Sequence, residues 1–312
     1  MWQVASGIFL GWSLGSNDAA NVFGTAVASR MVRFWTAAAL CSVFVMLGAL
    51  LEGRHGMETY RQLSPLGLNG AFIASLSAAL TVSLMSFWRL PVSTSQAVVG
   101  ALVLLGVLRQ NVDTGSLTKV VLCWVGTPIG AMLASIVLYY TLGKFMNLLA
   151  PSMFAYDRGL RWLLILSGSY GAYALGANNV ANVTGAFTGP GMLTPLAACL
   201  IGGGAIVLGV VTYSRRVMLT VGKDLVRLDA FTAFIAIMAE AVTVHIYAMV
   251  GVPVSTSQAV VGAVLGIGIV KSMKTINRRT LWRILFGWVG TPAIAAALAL
   301  GFYELFVLLR LL

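Results

Sequence analysis

The sequence predicts an all-α polytopic membrane protein. It reads as two inverted-topology repeats of about five transmembrane segments each, with broken helices at the midplane. Three observations carry that prediction: a composition too apolar for water, ten apolar stretches near membrane-spanning length, and motifs that recur in the same order about 160 residues apart.

The composition comes first. The 312 residues are 59% hydrophobic and 9% charged, with a mean hydropathy of +0.92. Soluble domains carry roughly 25% charged residues, which argues against a water-soluble fold. The net charge of +11 does not point to nucleic acid; in a membrane protein, basic excess gathers in cytoplasmic loops. Cys41, Cys123 and Cys199 lie inside apolar stretches without CxxC spacing, so free buried thiols are expected, with neither disulfides nor a metal site. Met1–Leu14 lacks a basic leading region and a convincing cleavage site, so it reads as a retained span.

A spanning helix needs about 20 mostly apolar residues, because about 30 Å must be crossed at 1.5 Å per residue. The stretches run near 2–28, 34–51, 68–88, 92–108 and 119–142, then 160–183, 193–213, 230–250, 253–270 and 281–311. Loops after odd-numbered passes hold 15 of the 20 Lys and Arg residues, ending with the run Lys271, Lys274, Arg278, Arg279 and Arg283. The other side holds five: Arg54, Arg61, Arg109, Lys119 and Arg310. The positive-inside rule then places both termini outside the cytoplasm, in a multi-pass protein of the plasma membrane.

Three blocks repeat. Pro91–Ala101 and Pro253–Ala263 both read PVSTSQAVVGA, LGSNDAANV at 14–22 matches LGANNVANV at 175–183, and WVGTP at 124–128 recurs at 288–292. The nearly constant offset means a duplication, with residues 1–150 and 151–312 as the two repeats. Five passes per half is an odd number, so the second half enters from the opposite side, an arrangement common in secondary transporters. Arg89, before the first turn, is expected in the cytoplasm and its counterpart Gly251 outside.

Asp18 and Glu240 are the acidic residues deepest within apolar passes, and Lys and Arg are absent from the middle of every pass. A buried Asp costs about 2.5–3.5 kcal/mol on insertion scales, which makes such residues functional candidates. Asn17, Asp18 and Asn21 share one helical face, and Gly15 beside them permits a helix break that would free carbonyls. The duplicate supplies Asn178, Asn179 and Asn182 with Gly176. Oxygen ligands suit a hard cation, so Na⁺ is expected at Asp18, Asn21, Asn179 and Asn182, unless Asp18 carries a proton instead. The plain structural alternative is hydrogen bonding between packed helices.

Pro91 and Pro253 suit the first turn of a helix. Ser93, Thr94, Ser95 and Gln96, with Ser255, Thr256, Ser257 and Gln258, then crowd a helix N-terminus, where free N–H groups favour an anion. Asn17 and Asn178 are assigned to the same anion. Gly11–Gly15 matches GxSxG but lies in a membrane pass, without the strand–turn–helix setting of a hydrolase, and no enzyme is predicted. His245, five residues from Glu240, is expected to be a packed, hydrogen-bonded histidine, with a proton relay as the second reading.

These paired blocks resemble the inorganic phosphate transporter (PiT) family, whose duplicated GANDxxN signature corresponds to Gly15–Asn21 and Gly176–Asn182. The resemblance implies a secondary active carrier importing phosphate with Na⁺ or H⁺ and using no cofactor. A sulfate permease is the alternative within the family, and an uncoupled anion channel a more distant one. Glu240 resembles a second-half glutamate of the family and is the candidate coupling residue. Asn179 stands where the family usually has Asp, Gln96 and Gln258 where it has His, and Val45 where many relatives carry Glu. The expected partners are phosphate or sulfate, the cation, membrane lipid and a second copy in a candidate homodimer, without nucleic acid.

Overall fold

The structure, a computed structural model, describes residues 2–63, 66–88, 92–149, 152–224, 228–271 and 278–311. Among the described residues each half contributes six α-helices. The first supplies α1 (Val4–Ala28), α2 (Phe34–Leu51), α3 (His55–Leu63), α4 (Leu68–Phe87), α5 (Thr94–Leu108) and α6 (Thr114–Leu149). The second supplies α7 (Met153–Thr184), α8 (Pro195–Thr212), α9 (Ser214–Asp224), α10 (Ala230–Val250), α11 (Thr256–Lys271) and α12 (Arg278–Leu308). Among the described residues there is no strand, as expected where lipid offers the backbone no hydrogen-bond partners. Six helices among the described residues, α2, α4, α6, α8, α10 and α12, contain stretches long and apolar enough to cross a membrane, where the sequence led us to expect ten, and α5 and α11 are shorter apolar helices.

Local chemistry sets the ends. Thr194 caps α8 by accepting the Ala197 N–H at 3.2 Å, with Pro195 just inside the helix. Asp229 caps α10 through the Thr232 N–H at 2.9 Å, and Gly251 ends that helix at φ 78°, a conformation glycine adopts without cost.

The packing is reciprocal between the halves. A Cβ at Gly15 would overlap the Ile206 carbonyl, and one at Gly209 the Trp12 carbonyl, so α1 and α8 touch backbone to backbone. Shifted by 161 residues, Gly176 meets the Val45 carbonyl and Gly48 the Tyr173 carbonyl, joining α7 to α2 in the same way. The repeated VVGA and WVGTP segments also exchange partners. Gly100 of α5 packs on Pro292 of α12, and Gly262 of α11 packs on Pro128 of α6. Such close approach is how membrane helices gain contact energy when lipid is as apolar as Leu.

Four expectations need correction or completion. Gly15 and Gly176 do not break their helices: α1 and α7 run continuously through both Asn blocks, because these glycines are used for helix contact. The interruptions fall instead before α5 and α11. Pro253 lies outside α11, two residues before its N-cap Ser255, and not in the first helical turn. Two short helices, α3 and α9, occupy segments expected to be loops. Arg89 and Pro91, and residues 272–277 of the basic run, lie outside the described residues.

Candidate functional site

The buried polar side chains converge from both halves. Asp18 on α1 is 3% exposed, and Asn178, Asn179 and Asn182 on α7 are each 1% exposed. Ser93, Thr94, Ser95 and Gln96 open α5, and Ser255, Thr256 and Gln258 open α11, all of them buried. Asn17, Asn21 and Ser257 are half-buried at the edge of the cluster.

Hydrogen bonds stitch these segments across the repeat. Thr256 Oγ1 donates to Asp18 Oδ2 at 3.1 Å, so the second-half turn reaches the first-half block. Asn182 Nδ2 donates to Ser95 Oγ at 3.1 Å, so the first-half turn reaches the second-half block. Ser95 Oγ in turn donates to the Val254 carbonyl at 2.8 Å, tying one turn to the other. Asn178 grips the same residue twice: its Nδ2 donates to the Val254 carbonyl at 2.8 Å and its Oδ1 accepts the Val254 N–H at 3.0 Å. Val254 precedes α11, where no helical partner exists for its backbone, and the Asn178 amide supplies both.

Each turn is capped alike. Ser93 Oγ accepts the Gln96 N–H at 3.3 Å and Ser255 Oγ accepts the Gln258 N–H at 3.2 Å. A cap occupies one of the free donors at a helix start, leaving the others and the positive dipole end facing the cluster.

Several buried atoms there have no hydrogen-bond partner: Asn21 Nδ2, Thr94 Oγ1, Gln96 Oε1, Asn179 Nδ2, Glu240 Oε2 and Gln258 Oε1. Buried polar atoms are rarely left unpaired, so a cluster of them marks a place built for a polar occupant. The set offers both donors and acceptors. Glu240 on α10 is buried within electrostatic range of Asp18. No Lys or Arg is among the buried side chains of the described residues, so positive charge must come from helix ends or a bound cation. Among the described residues no group of three His, Cys, Asp or Glu side chains could hold a resident metal ion.

One participant was missed from the sequence. Tyr60, fully buried on α3, donates its hydroxyl to Asn182 Oδ1 and so fixes that amide with its Nδ2 toward Ser95 and Asn179. The available signal was Met57, Tyr60 and Leu63 at three-residue spacing, an apolar face in an otherwise polar segment.

Residues 14–299 match the sequence profile described as "Phosphate transporter family". The chain belongs to the phosphate transporter family. A family protein of Methanocaldococcus jannaschii, provisionally named a phosphate permease, is 32% identical over 294 residues, covering 94% of this chain and 93% of that one. The sulfate permease CysP of Bacillus subtilis is 27% identical over 308 residues, covering 96% of this chain and 86% of that one. A solved structure described as "The sodium-dependent phosphate transporter" superposes with a TM-score of 0.84 at 23% identity, covering 98% of each chain. That likeness establishes the fold, and the family match together with the six apolar helices makes this a multi-pass membrane transporter.

Proposed function

We propose that this member of the phosphate transporter family is a secondary active carrier that imports inorganic phosphate together with Na⁺ or H⁺. The observation that carries the reading is the meeting of the two Ser/Thr turns with the two Asn blocks, around buried donors and acceptors that lack partners. In this reading the starts of α5 and α11 hold the anion through Ser93, Thr94, Ser95, Gln96, Ser255, Thr256, Ser257 and Gln258, aided by Asn17 and Asn178. Asp18, Asn21, Asn179 and Asn182 attend the cation, and Glu240 couples the two. Residues 1–150 and 151–312 are the inverted repeats, and both termini lie outside. The sodium dependence of the structural relative favours Na⁺.

The substrate follows from proton chemistry. Phosphate and sulfate share size and shape, but near neutral pH phosphate keeps at least one O–H donor and sulfate has none. The unpaired Gln96 Oε1, Gln258 Oε1 and Glu240 Oε2 are acceptors suited to that proton. A sulfate in their place would leave such a group unpaired, at a cost of about 1–3 kcal/mol. The resemblance to CysP supports sulfate as the second reading. Uptake of labelled phosphate and sulfate into proteoliposomes, under imposed Na⁺ or H⁺ gradients, tests both. Phosphate uptake driven by one gradient is expected; sulfate uptake that excess phosphate cannot compete away overturns the assignment.

A further inference from the structure

A second polar cluster lies apart from the transport site, where α2, α7 and α10 meet. His245 on α10 is bonded at both ring nitrogens: Nε2 to Glu52 Oε2 at 2.8 Å and Nδ1 to the Tyr170 hydroxyl at 2.7 Å. The Tyr173 hydroxyl donates to Glu52 Oε1 at 2.8 Å, and both tyrosine rings stand edge-on to the imidazole, 5.5 and 5.4 Å away. The side chains of His245 and Glu52 are only 18% and 23% exposed.

The equivalent place in the other half is built differently. Counting back or forward by the repeat offset, Tyr170 becomes Phe9, Tyr173 becomes Trp12, Glu52 becomes Tyr213 and His245 becomes Ser83. There the rings of Phe9, Trp12 and Tyr213 lie against one another, at 6.2 and 5.8 Å, and Ser83 meets Ser13 at 2.9 Å. The helix contacts are shared by both halves, yet only one carries an acid and a base. Packing alone therefore does not account for Glu52 and His245.

This cluster is joined to the transport site. Two turns after Glu52, Thr59 Oγ1 donates to the Gly251 carbonyl at 2.5 Å, and Tyr60 holds Asn182. Residues 52–60 thus grip α10 at His245 and again at Gly251, just before Val254 enters the site. The neighbouring titratable groups are few. His55 acts on Glu52 from the start of α3, and Tyr170 and Tyr173 face the pair from α7. On α10 itself Glu240 is turned to Asp18, and Tyr247 to Gly126 of α6.

Either protonation state of the imidazole keeps both bonds. The neutral ring donates from Nε2 and accepts at Nδ1, whereas the imidazolium donates from both, with the Tyr170 oxygen accepting. Taking up a proton therefore adds a charge without dismantling the cluster. We propose that Glu52 and His245, oriented by Tyr170 and Tyr173, are a proton-binding site at the outer ends of α2 and α10, whose occupancy clamps the α10–α11 hairpin and slows uptake as the exterior becomes acidic. Burial works against ionisation of Glu52, but the hydrogen bonds from Tyr173 and His245 outweigh it and hold the carboxyl below its usual range. Glu52 therefore stays anionic and is the fixed charge that a protonated imidazole would meet. With a neutral ring the pair is a neutral–anion hydrogen bond and with a protonated ring it is an ion pair, so the clamp weakens when the proton leaves.

The proposal rests on the phosphate-carrier reading and on its orientation, and two measurements separate the failures. Glu52→Gln keeps the hydrogen bond but cannot attract an imidazolium. Its phosphate uptake, divided by wild-type uptake at the same external pH, cancels the protonation of phosphate itself. That ratio is expected to be about fivefold higher at an external pH of about 5 than at about 8, the low end for coupling between two sites. A ratio constant across the range means a structural pair and overturns the proposal. The second measurement does not depend on transport. With His55→Gln, His245 is the only remaining histidine, and Glu52→Ala is expected to raise its rate of modification by diethyl pyrocarbonate several-fold. An unchanged rate shows that Glu52 does not hold the ring and also overturns the clamp. If wild type moves no phosphate, the carrier reading fails, while the modification rate still decides the clamp.

Discussion

Val254 is the point through which the two halves of the site are tied, and a double-mutant cycle measures that tie. Its N–H is held by Asn178 Oδ1, while its carbonyl is shared between Asn178 Nδ2 and Ser95 Oγ. Ser95→Ala leaves the carbonyl its bond from Asn178, and leaves Asn182 Nδ2 its bond to Asn179 Oδ1. The expected loss is therefore that of one replaceable hydrogen bond, about 0.5–1.5 kcal/mol. Asn178→Ala strips the N–H of its acceptor in a residue that is 0% exposed. An unsatisfied buried donor costs about 1–3 kcal/mol. In the double variant the carbonyl loses both donors as well, so the losses exceed their sum by about 1 kcal/mol or more, within the range found for coupled neighbours. Unfolding free energies from SDS titration in mixed micelles give all four corners of the cycle. Additivity within about 0.5 kcal/mol would mean that Ser95 and Asn178 do not share Val254.

Three further outcomes are expected. Asp18→Asn removes the carboxylate that faces Thr256 and should abolish cation-driven uptake in a folded protein, whereas Asn179→Asp should raise apparent cation affinity; normal ion dependence in Asp18→Asn sinks its coupling role. Ser93→Ala and Ser255→Ala each remove an N-cap at the same kind of turn, so both should weaken phosphate uptake by similar factors of about fivefold, as expected for a cap worth ~1 kcal/mol; loss confined to one of them would show that the turns are not equivalent. Gly15→Val and Gly176→Val place side chains against the Ile206 and Val45 carbonyls, and each should lower stability by at least about 1–3 kcal/mol; a melting temperature unchanged for either, measured in detergent, contradicts the helix contact.

Among the described residues the six helices α2, α4, α6, α8, α10 and α12 were legible because lipid imposes a single rule, a run of apolar residues, on each of them. By contrast, α5 and α11 are shorter, and the polar Asn blocks interrupt the apolar run of α1 and α7. The residues that converge in the candidate site were legible because they are written twice: Ser93–Gln96 and Ser255–Gln258 announce each other. The short helices α3 and α9 have no such signature. Their 9 and 11 residues are amphipathic and charged, as a surface loop would be. Gly15 shows the limit of local reading, since a glycine beside Asn and Asp equally suits a helix break or a close contact. Only the position of Ile206 decides between them. Tyr60 and Glu52 were hidden for a related reason: their partners Asn182 and His245 lie 122 and 193 residues away.

The exchanged glycine contacts also bear on how the chain is made. α1 needs α8, α2 needs α7, and α5 needs α12, so the first half leaves the ribosome with these glycine faces bare, although α4 already packs on α1 and α5. At 5–20 residues per second, the partner helices follow on the order of 10–30 s later. During that interval Gly15, Gly48 and Gly100 face lipid or the insertion machinery, and Asp18 has no Thr256 to meet it. A chain truncated near residue 150 would thus be a membrane-inserted fragment that lacks the close glycine contacts of the whole protein. It would be a natural substrate for membrane proteases, and co-expression of the second half as a separate polypeptide is what would rescue it.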